Sequence, residues 1–416
     1  MEDFFKKYNI EKEARISIVL NTFMYIDRCP EITDDRPVTL ADAVSGSLCE
    51  KIVSKLNVSQ RGALQVIREY LEKPENSDIA HLEILSYSNN MCNSYKGAYA
   101  AAFQTPDKKD VYIVYRGTGD GRWYDNGDAL AHEYSRYQKT AEKYFNYVIK
   151  KLKPDDKTNI IVTGHSKGGN LAQYVTLVSS YKEYIKKCIS FDGQGFSPEF
   201  LRSIGVDTDI ARVSSINPAY VQLYIPVGIK QQISKMYSIC GDNDYVNVLG
   251  IKIIPDSRTV YIATDCAVTD VVSSHSISPS YDTRHASGKI SINKNKYFFN
   301  WDTNRFNKQT CKTRALSDIL KNVSSYIMNE SQQVREKDCH AVMDALEAIM
   351  SRRDKGLTGE DATLDEYMEL IKSLPKIFFI AEATIVESMI PKKYKNIVKK
   401  QIKSVNEAMS VLKSIL

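Results

Sequence analysis

The chain has 416 residues, 43% of them apolar and 26% charged, and a formal net charge of +5. That length allows two or three domains with a substantial core, and the composition excludes a disordered or membrane-built chain. So mild a charge on so long a chain leaves no electrostatic footprint for nucleic acid.

The eight cysteines form no C-x-x-C pair and no metal-ligand spacing, so reduced thiols in a cytosolic protein are expected, with no metal and no organic cofactor. The start, Met1-Glu2-Asp3-Phe4-Phe5-Lys6-Lys7, lacks the basic opening and long apolar core of a signal peptide. The longest apolar run, Ile377 to Ile390, carries Glu382 and Glu387 and falls short of the ~18 residues a spanning helix needs. These features set the expectation of a cytoplasmic protein.

Residues 1–82 read as helices that pack on the core. Ile16, Val19, Leu20, Phe23 and Met24 recur at helical spacing, as do Leu64, Ile67 and Leu71, and Thr39 stands as an N-cap before Leu40. Strands follow at Ile84–Tyr87, Tyr95–Phe103 and Asp110–Tyr115, the last two joined by a turn at Thr105-Pro106-Asp107. The third strand runs into Arg116-Gly117-Thr118-Gly119-Asp120-Gly121-Arg122-Trp123. A glycine-rich loop here either supplies an oxyanion donor through Thr118 or is an ordinary connection. Asp120 to Ala131, with Trp123, reads either as a lid over a pocket or as a fixed loop with a buried tryptophan.

After helix-like sequence from Glu133 to Lys151, the chain reaches its central signal. Ile160 to Thr163 is a short β-branched run; Gly164-His165-Ser166-Lys167-Gly168-Gly169 follows it, and then helix-like Asn170-Leu171-Ala172. Strand, sharp turn and helix are the context that makes G-x-S-x-G a nucleophile elbow, with Ser166 as nucleophile. The alternative is a glycine-rich turn whose serine caps the helix. At an elbow, the free N–H groups of the helix start, Lys167 first, would hold a developing oxyanion. The Lys167 side chain adds positive charge, which sets an expectation of anionic substrates.

Strand, helix, strand, helix in this order predicts a central, mostly parallel sheet with crossover helices. An acid and then a base should follow the elbow on later strand ends, the base to activate serine and the acid to orient the base. Cys188–Phe191 ends in Asp192, read as pocket wall; Lys235–Cys240 ends in Asp242 and Asp244, of which Asp244 is the preferred acid and Asp242 its rival. Of six histidines, His275 and His285 qualify as base. His285 is preferred because it precedes a hairpin-like pair, Lys289–Asn293 and Lys296–Asn300, and a loop entering a strand suits a base. His165, inside the elbow, is expected to turn away from Ser166.

The elbow Gly164-His165-Ser166-Lys167-Gly168-Gly169-Asn170-Leu171-Ala172 resembles that of the bacterial Mbeg-like proteins, predicted α/β-hydrolases related to class 3 (fungal triacylglycerol) lipases. Arg116-Gly117-Thr118 is similar to their oxyanion loop, and Trp123 and Asp128 to the tryptophan and acidic residue after it. Ser190-Phe191-Asp192-Gly193-Gln194-Gly195-Phe196 resembles a family segment with glutamine in place of proline, and Asn243-Asp244-Tyr245-Val246 resembles the lipases' aspartate loop with Asn247 in place of its proline. His285 stands about as far ahead of Tyr297-Phe298 as the family histidine stands from its aromatic strand, with Ile290 where tryptophan is usual. The resemblance covers roughly 15–303 and implies a serine ester hydrolase with Ser166, Asp244 and His285 as its triad, acting through an acyl-enzyme on a small-molecule or lipid ester.

Beyond Lys308 the chain reads helical, with a capping box at Thr363-Leu364-Asp365-Glu366. Pro391–Leu416 sets Lys392, Lys393, Lys395, Lys399, Lys400 and Lys403 beside an apolar stripe, which either contacts an anionic membrane peripherally or packs on its own domain. The expected organisation is therefore a helical segment at 1–82, a lipase-like α/β-hydrolase core at 83–303 and a helical region at 304–416. Two alternatives to the soluble esterase are a catalytically silent binding or scaffold protein on the same fold, and a membrane-surface phospholipase.

Overall fold

The computed structural model describes residues 3–354 apart from 27–37, short stretches between 46 and 57, 89–98, 119–122, 209–224, 265–274, 278–279, 283–290, 294–297 and 311–312. His285, the Thr363 capping box and the basic Pro391–Leu416 segment lie outside the described residues. Among the described residues, no helix is long and apolar enough to cross a membrane.

Seven strands follow one another across a single eight-stranded sheet: β1 (Glu83–Ser88), β2 (Ala100–Gln104), β3 (Asp110–Tyr115), β4 (Asn159–His165), β5 (Ile185–Phe191), β6 (Met236–Gly241) and β7 (Thr259–Ile262). Gln309–Thr310 completes the far edge. β1, β2 and β3 pair antiparallel, β3 to β7 run parallel, and Gln309–Thr310 is antiparallel to β7. The sheet is thus mixed and mostly parallel. The β2–β3 turn is held where the sequence placed it, by Thr105 Oγ1 donating to Asp107 Oδ1 at 2.7 Å.

The helices of eight or more residues are α1 (Glu11–Met24), α2 (Val58–Leu71), α3 (Tyr124–Ala131), α4 (Arg136–Leu152), α5 (Lys167–Val178), α6 (Ala315–Asn329) and α7 (Gln332–Asp354). Strand periodicity deals side chains to two faces. In β3, Tyr112 and Val114 join the core built by α1 and α2, while Val111, Ile113 and Tyr115 join the core built by α4 and α5. Covering both faces explains why β4 reads as a continuous apolar run rather than an alternating one. The α1 stripe forms as its spacing predicts, with Ile16, Val19, Leu20, Phe23 and Met24 all buried. Thr39 caps Leu40–Val44 in a reciprocal box with Asp42.

One predicted pairing is replaced. Among the described residues of Lys289–Asn293 and Lys296–Asn300, Ser291–Asn293 pairs back with Ser280–Asp282, and Phe299–Asn300 pairs forward with Arg305–Phe306. The forward turn is local, because Asn300 Oδ1 accepts from the N–H groups of Asp302 and Thr303 and Asn304 takes a left-handed φ of 58°. Such a side-chain-to-backbone turn closes a hairpin without the strand before it.

Candidate active site

The site sits where parallel strands end. β4 finishes at His165, α5 starts at Lys167, and Ser166 between them holds φ 58°, ψ −125°. A serine at positive φ is strained, and surroundings that over-determine it are required to keep it there. They do so here. The Ser166 N–H donates to Phe191 O at 2.8 Å. A Cβ on Gly168 would lie 2.0 Å from Tyr115 O, and one on Gly164 would lie 2.1 Å from the Gly168 backbone. The motif glycines therefore exist because strand, turn and helix touch backbone to backbone. Gly168→Ala is expected to destabilise the fold by about 3 kcal/mol, the upper end for overpacking against an immobile neighbour, read as a lowered urea midpoint. An unchanged midpoint would show that β3 and α5 can part.

Arg116-Gly117-Thr118 runs beside this turn, since a Cβ on Gly117 would meet Ser166 Cβ at 3.1 Å and His165 O at 2.7 Å. Thr118 Oγ1 accepts a 2.7 Å hydrogen bond from Asn126 Nδ2, a residue of α3. With that lone pair used, the hydroxyl proton is directed elsewhere. Trp123 is buried at the N-cap of α3, which matches the fixed-loop reading on the residues described. Asp128 contacts His340 of α7 at 3.0 Å, and Tyr124 stacks on the same imidazole at 3.9 Å.

Lys167 departs from its expected electrostatic role. Its Nζ is 2.7 Å from Asp125 Oδ2, donates to Asp125 O at 2.9 Å and to Ser135 Oγ at 3.3 Å, and the side chain is 2% exposed. The charge points into the protein because the helix turn carries the side chain back toward α3, so it does not present itself to an anionic substrate. Burial pushes the ammonium below its ordinary range, opposed by Asp125. The Lys167 N–H remains in the first turn of α5, where N–H groups have no intrahelical partner.

The acid candidates separate clearly. Asp242 Oδ1 accepts from Thr264 N–H at 3.1 Å and Thr264 Oγ1 at 2.8 Å and lies 3.2 Å from Arg314 Nε, so it braces the chain beyond β7. Asp244 instead takes N–H donors from Val246 at 2.9 Å and Asn247 at 2.7 Å on Oδ1, and Nδ1 of His275 on Oδ2. That leaves His275 Nε2 buried and, among the described residues, without a hydrogen-bond partner. The His275 ring lies 4.8 Å from the His165 ring and 5.2 Å from that of Tyr245. Of the two histidines proposed as base, the structure brings His275 to Asp244; His285 is outside the described residues.

Two further groups complete the pocket. His165 turns its Nδ1 to Tyr25 OH at 2.7 Å, and burial, with the adjacent His275, holds its pKa well below the ordinary value. Asp192, at φ 44° and fully buried, accepts from Gly241 N–H at 2.8 Å and Asn247 Nδ2 at 3.0 Å on Oδ1. Burial first, and then the charge of Asp244, raise its carboxyl well above the usual range. Sequence reasoning missed Asn126, Asp125 and Tyr25, and noted Asn247 only as standing where the lipases' proline would be. Asn126 and Asp125 offered one signal, their place shortly after the tryptophan of the glycine-rich loop; Tyr25 offered none.

Residues 73–241 match a family model described as Mbeg1-like. No curated protein matches the chain. Among solved structures, the triacylglyceride lipase of Rhizomucor miehei is similar at 15% identity over 44% of this chain and 65% of that one, with a TM-score of 0.27. M37 lipase is similar at 17% identity over 46% and 64%, TM-score 0.28. Lip2 lipase of Yarrowia lipolytica is similar at 14% identity over 47% and 69%, TM-score 0.26. The chain spans just under two thirds of the first two. The family match takes in Thr118, Ser166 and Asp192 and stops before Asp244 and His275.

Proposed function

We propose that the chain, whose residues 73–241 match the Mbeg1-like family model and whose sheet is mixed and mostly parallel, is a serine hydrolase of carboxylic esters. Ser166 is its nucleophile, His275 its base and Asp244 its acid. The observation that supports the reading is a buried His275–Asp244 pair whose imidazole lies 4.8 Å from the ring of His165, the residue before the strained serine. Asp244 takes the Nδ1 proton of His275 as a hydrogen bond, so Nε2 carries the lone pair. This is the tautomer a general base requires. His275 replaces the expected His285 because its ring is the one the acid orients.

Ser166 Oγ attacks the ester carbonyl while its proton passes to His275 Nε2. The carbonyl oxygen becomes an oxyanion held by the backbone N–H groups of Thr118 and Lys167 and by the Thr118 hydroxyl proton, which Asn126 leaves free to donate. Collapse breaks the ester C–O bond, His275 returns the proton to the departing alkoxide, and an acyl-serine remains. Water attacks it by the same path, losing its proton to His275 and releasing the acid and Ser166.

Labelling with a fluorophosphonate tests the nucleophile. The native chain takes the label, and Ser166→Ala does not. A native chain that stays unlabelled with and without detergent would leave a binding or scaffold protein on a hydrolase fold. Asn126→Ala is expected to lower kcat about a hundredfold with little change in KM, the cost of one disordered oxyanion donor; steady-state kinetics on a soluble ester measure it. A change confined to KM would place Asn126 in substrate binding.

A further inference from the structure

The same end of the sheet holds a second chemistry. His165, Asp192 and His275 are each fully or almost fully buried, and one ligating atom of each lies within 4.8 Å of the others. Among the described residues, Asp192 Oδ2 and His275 Nε2 have no hydrogen-bond partner, and His165 Nε2 has none of ordinary geometry, although the His165 ring meets the His275 backbone. Buried polar atoms are rarely left so, and adjoining groups so poorly satisfied point to something that satisfies them together.

The other atom of every group is already held. His165 Nδ1 meets Tyr25 OH, His275 Nδ1 meets the Asp244 carboxylate, and Asp192 Oδ1 takes the Gly241 and Asn247 donors. Metal-ligating histidines are typically fixed in this manner, with the far nitrogen bonded to a carboxylate or other acceptor so that the near one offers its lone pair. Two imidazoles and one carboxylate are a donor set suited to zinc and its neighbours in the transition series, not to calcium or magnesium.

We propose that His165, Asp192 and His275 form a binding site for a divalent transition-metal ion of zinc type. Three atoms no more than 4.8 Å apart leave an ion between them within roughly 2.8 Å of each, so each must close by at most roughly 0.7 Å to reach a bond of about 2.1 Å. Because His275 Nε2 is also the base of the proposed hydrolase, metal and acyl transfer exclude each other, and the ion acts as a reversible inhibitor. This second half rests on the serine-hydrolase reading; the metal site itself does not.

The test uses the full chain stripped with a chelator. Cobalt(II), added alone, is expected to give the intense visible absorption of a tetrahedral site, to saturate at one ion per chain and to be displaced by zinc. Ser166→Ala keeps all three ligands and must show the same spectrum, which separates metal binding from catalysis. Asp192→Asn removes a ligand while preserving shape, and is expected to weaken cobalt binding by more than the 10–100-fold that loss of an outer partner costs. Zinc should block fluorophosphonate labelling of the native chain, and the chelator should restore it. No cobalt spectrum and no zinc retained on dialysis of the native chain would overturn the site. Labelling that proceeds with zinc bound would overturn the exclusion. If Asp192→Asn does not fold, His165→Gln carries the same comparison, and an unweakened spectrum in either folded variant overturns the ligand set.

Discussion

His275→Ala is expected to reduce ester hydrolysis about a millionfold, the loss seen when a triad histidine is removed alone, whereas His285→Ala leaves the rate unchanged within error. The reason is geometric. A base works only if a fixed acceptor holds its tautomer, and Asp244 Oδ2 is committed to His275 Nδ1. Asp244 is itself held by the N–H groups of Val246 and Asn247, so the pair is delivered as a rigid unit from the end of β6. Asp244→Asn should then cost about 10⁴-fold, because an amide N–H in place of Oδ2 forces the imidazole proton to Nε2 and removes the lone pair. Steady-state rates on a soluble chromogenic ester, with fluorophosphonate labelling beside them, measure both. A dead His285→Ala and an active His275→Ala would return the base to the loop at 283–290 and leave the buried pair as a structural brace.

The largest effect on folding is expected from Asp125→Ala, at about 3–5 kcal/mol, the range for stripping one partner from a buried ion pair. Lys167 cannot follow its lost partner into water. Its side chain is 2% exposed, and its Nζ is ringed by Asp125 and Ser135. Replacing both, as Asp125→Ala with Lys167→Met, should recover much of the loss, since an apolar pair avoids the desolvation of both charges. Recovery stays incomplete because Asp125 also accepts from Ser135 Oγ at 2.8 Å and Tyr137 N–H at 3.1 Å, at the start of α4. Urea unfolding of the two variants gives the comparison. A single variant within 1 kcal/mol of the native chain, as for an exposed pair, would mean that the lysine reaches solvent.

The elbow was legible because local backbone geometry dictates its residues. Strand, sharp turn and helix can meet only where Gly164 and Gly168 carry no side chain, and β-branched Ile160 to Thr163 must precede them. The mostly parallel sheet followed from the alternation of strand and helix patterns, and the stripe of α1 from helical spacing. The choice of base was a different kind of question. His275 and His285 are ten positions apart in the chain, and the local signal, a loop entering a hairpin-like pair, favoured His285. Only the folding of the chain beyond β7 back onto the loop after β6 brings the His275 ring to Asp244. Likewise, a lysine after the nucleophile reads as free charge in the sequence, and it takes the packing of α3 against α5 to turn it inward onto Asp125. The cluster of His165, Asp192 and His275 draws one residue from each of three segments far apart in the chain. Spacing carries no record of such a meeting, because it is made by parallel strands ending at one edge and not by neighbours in sequence.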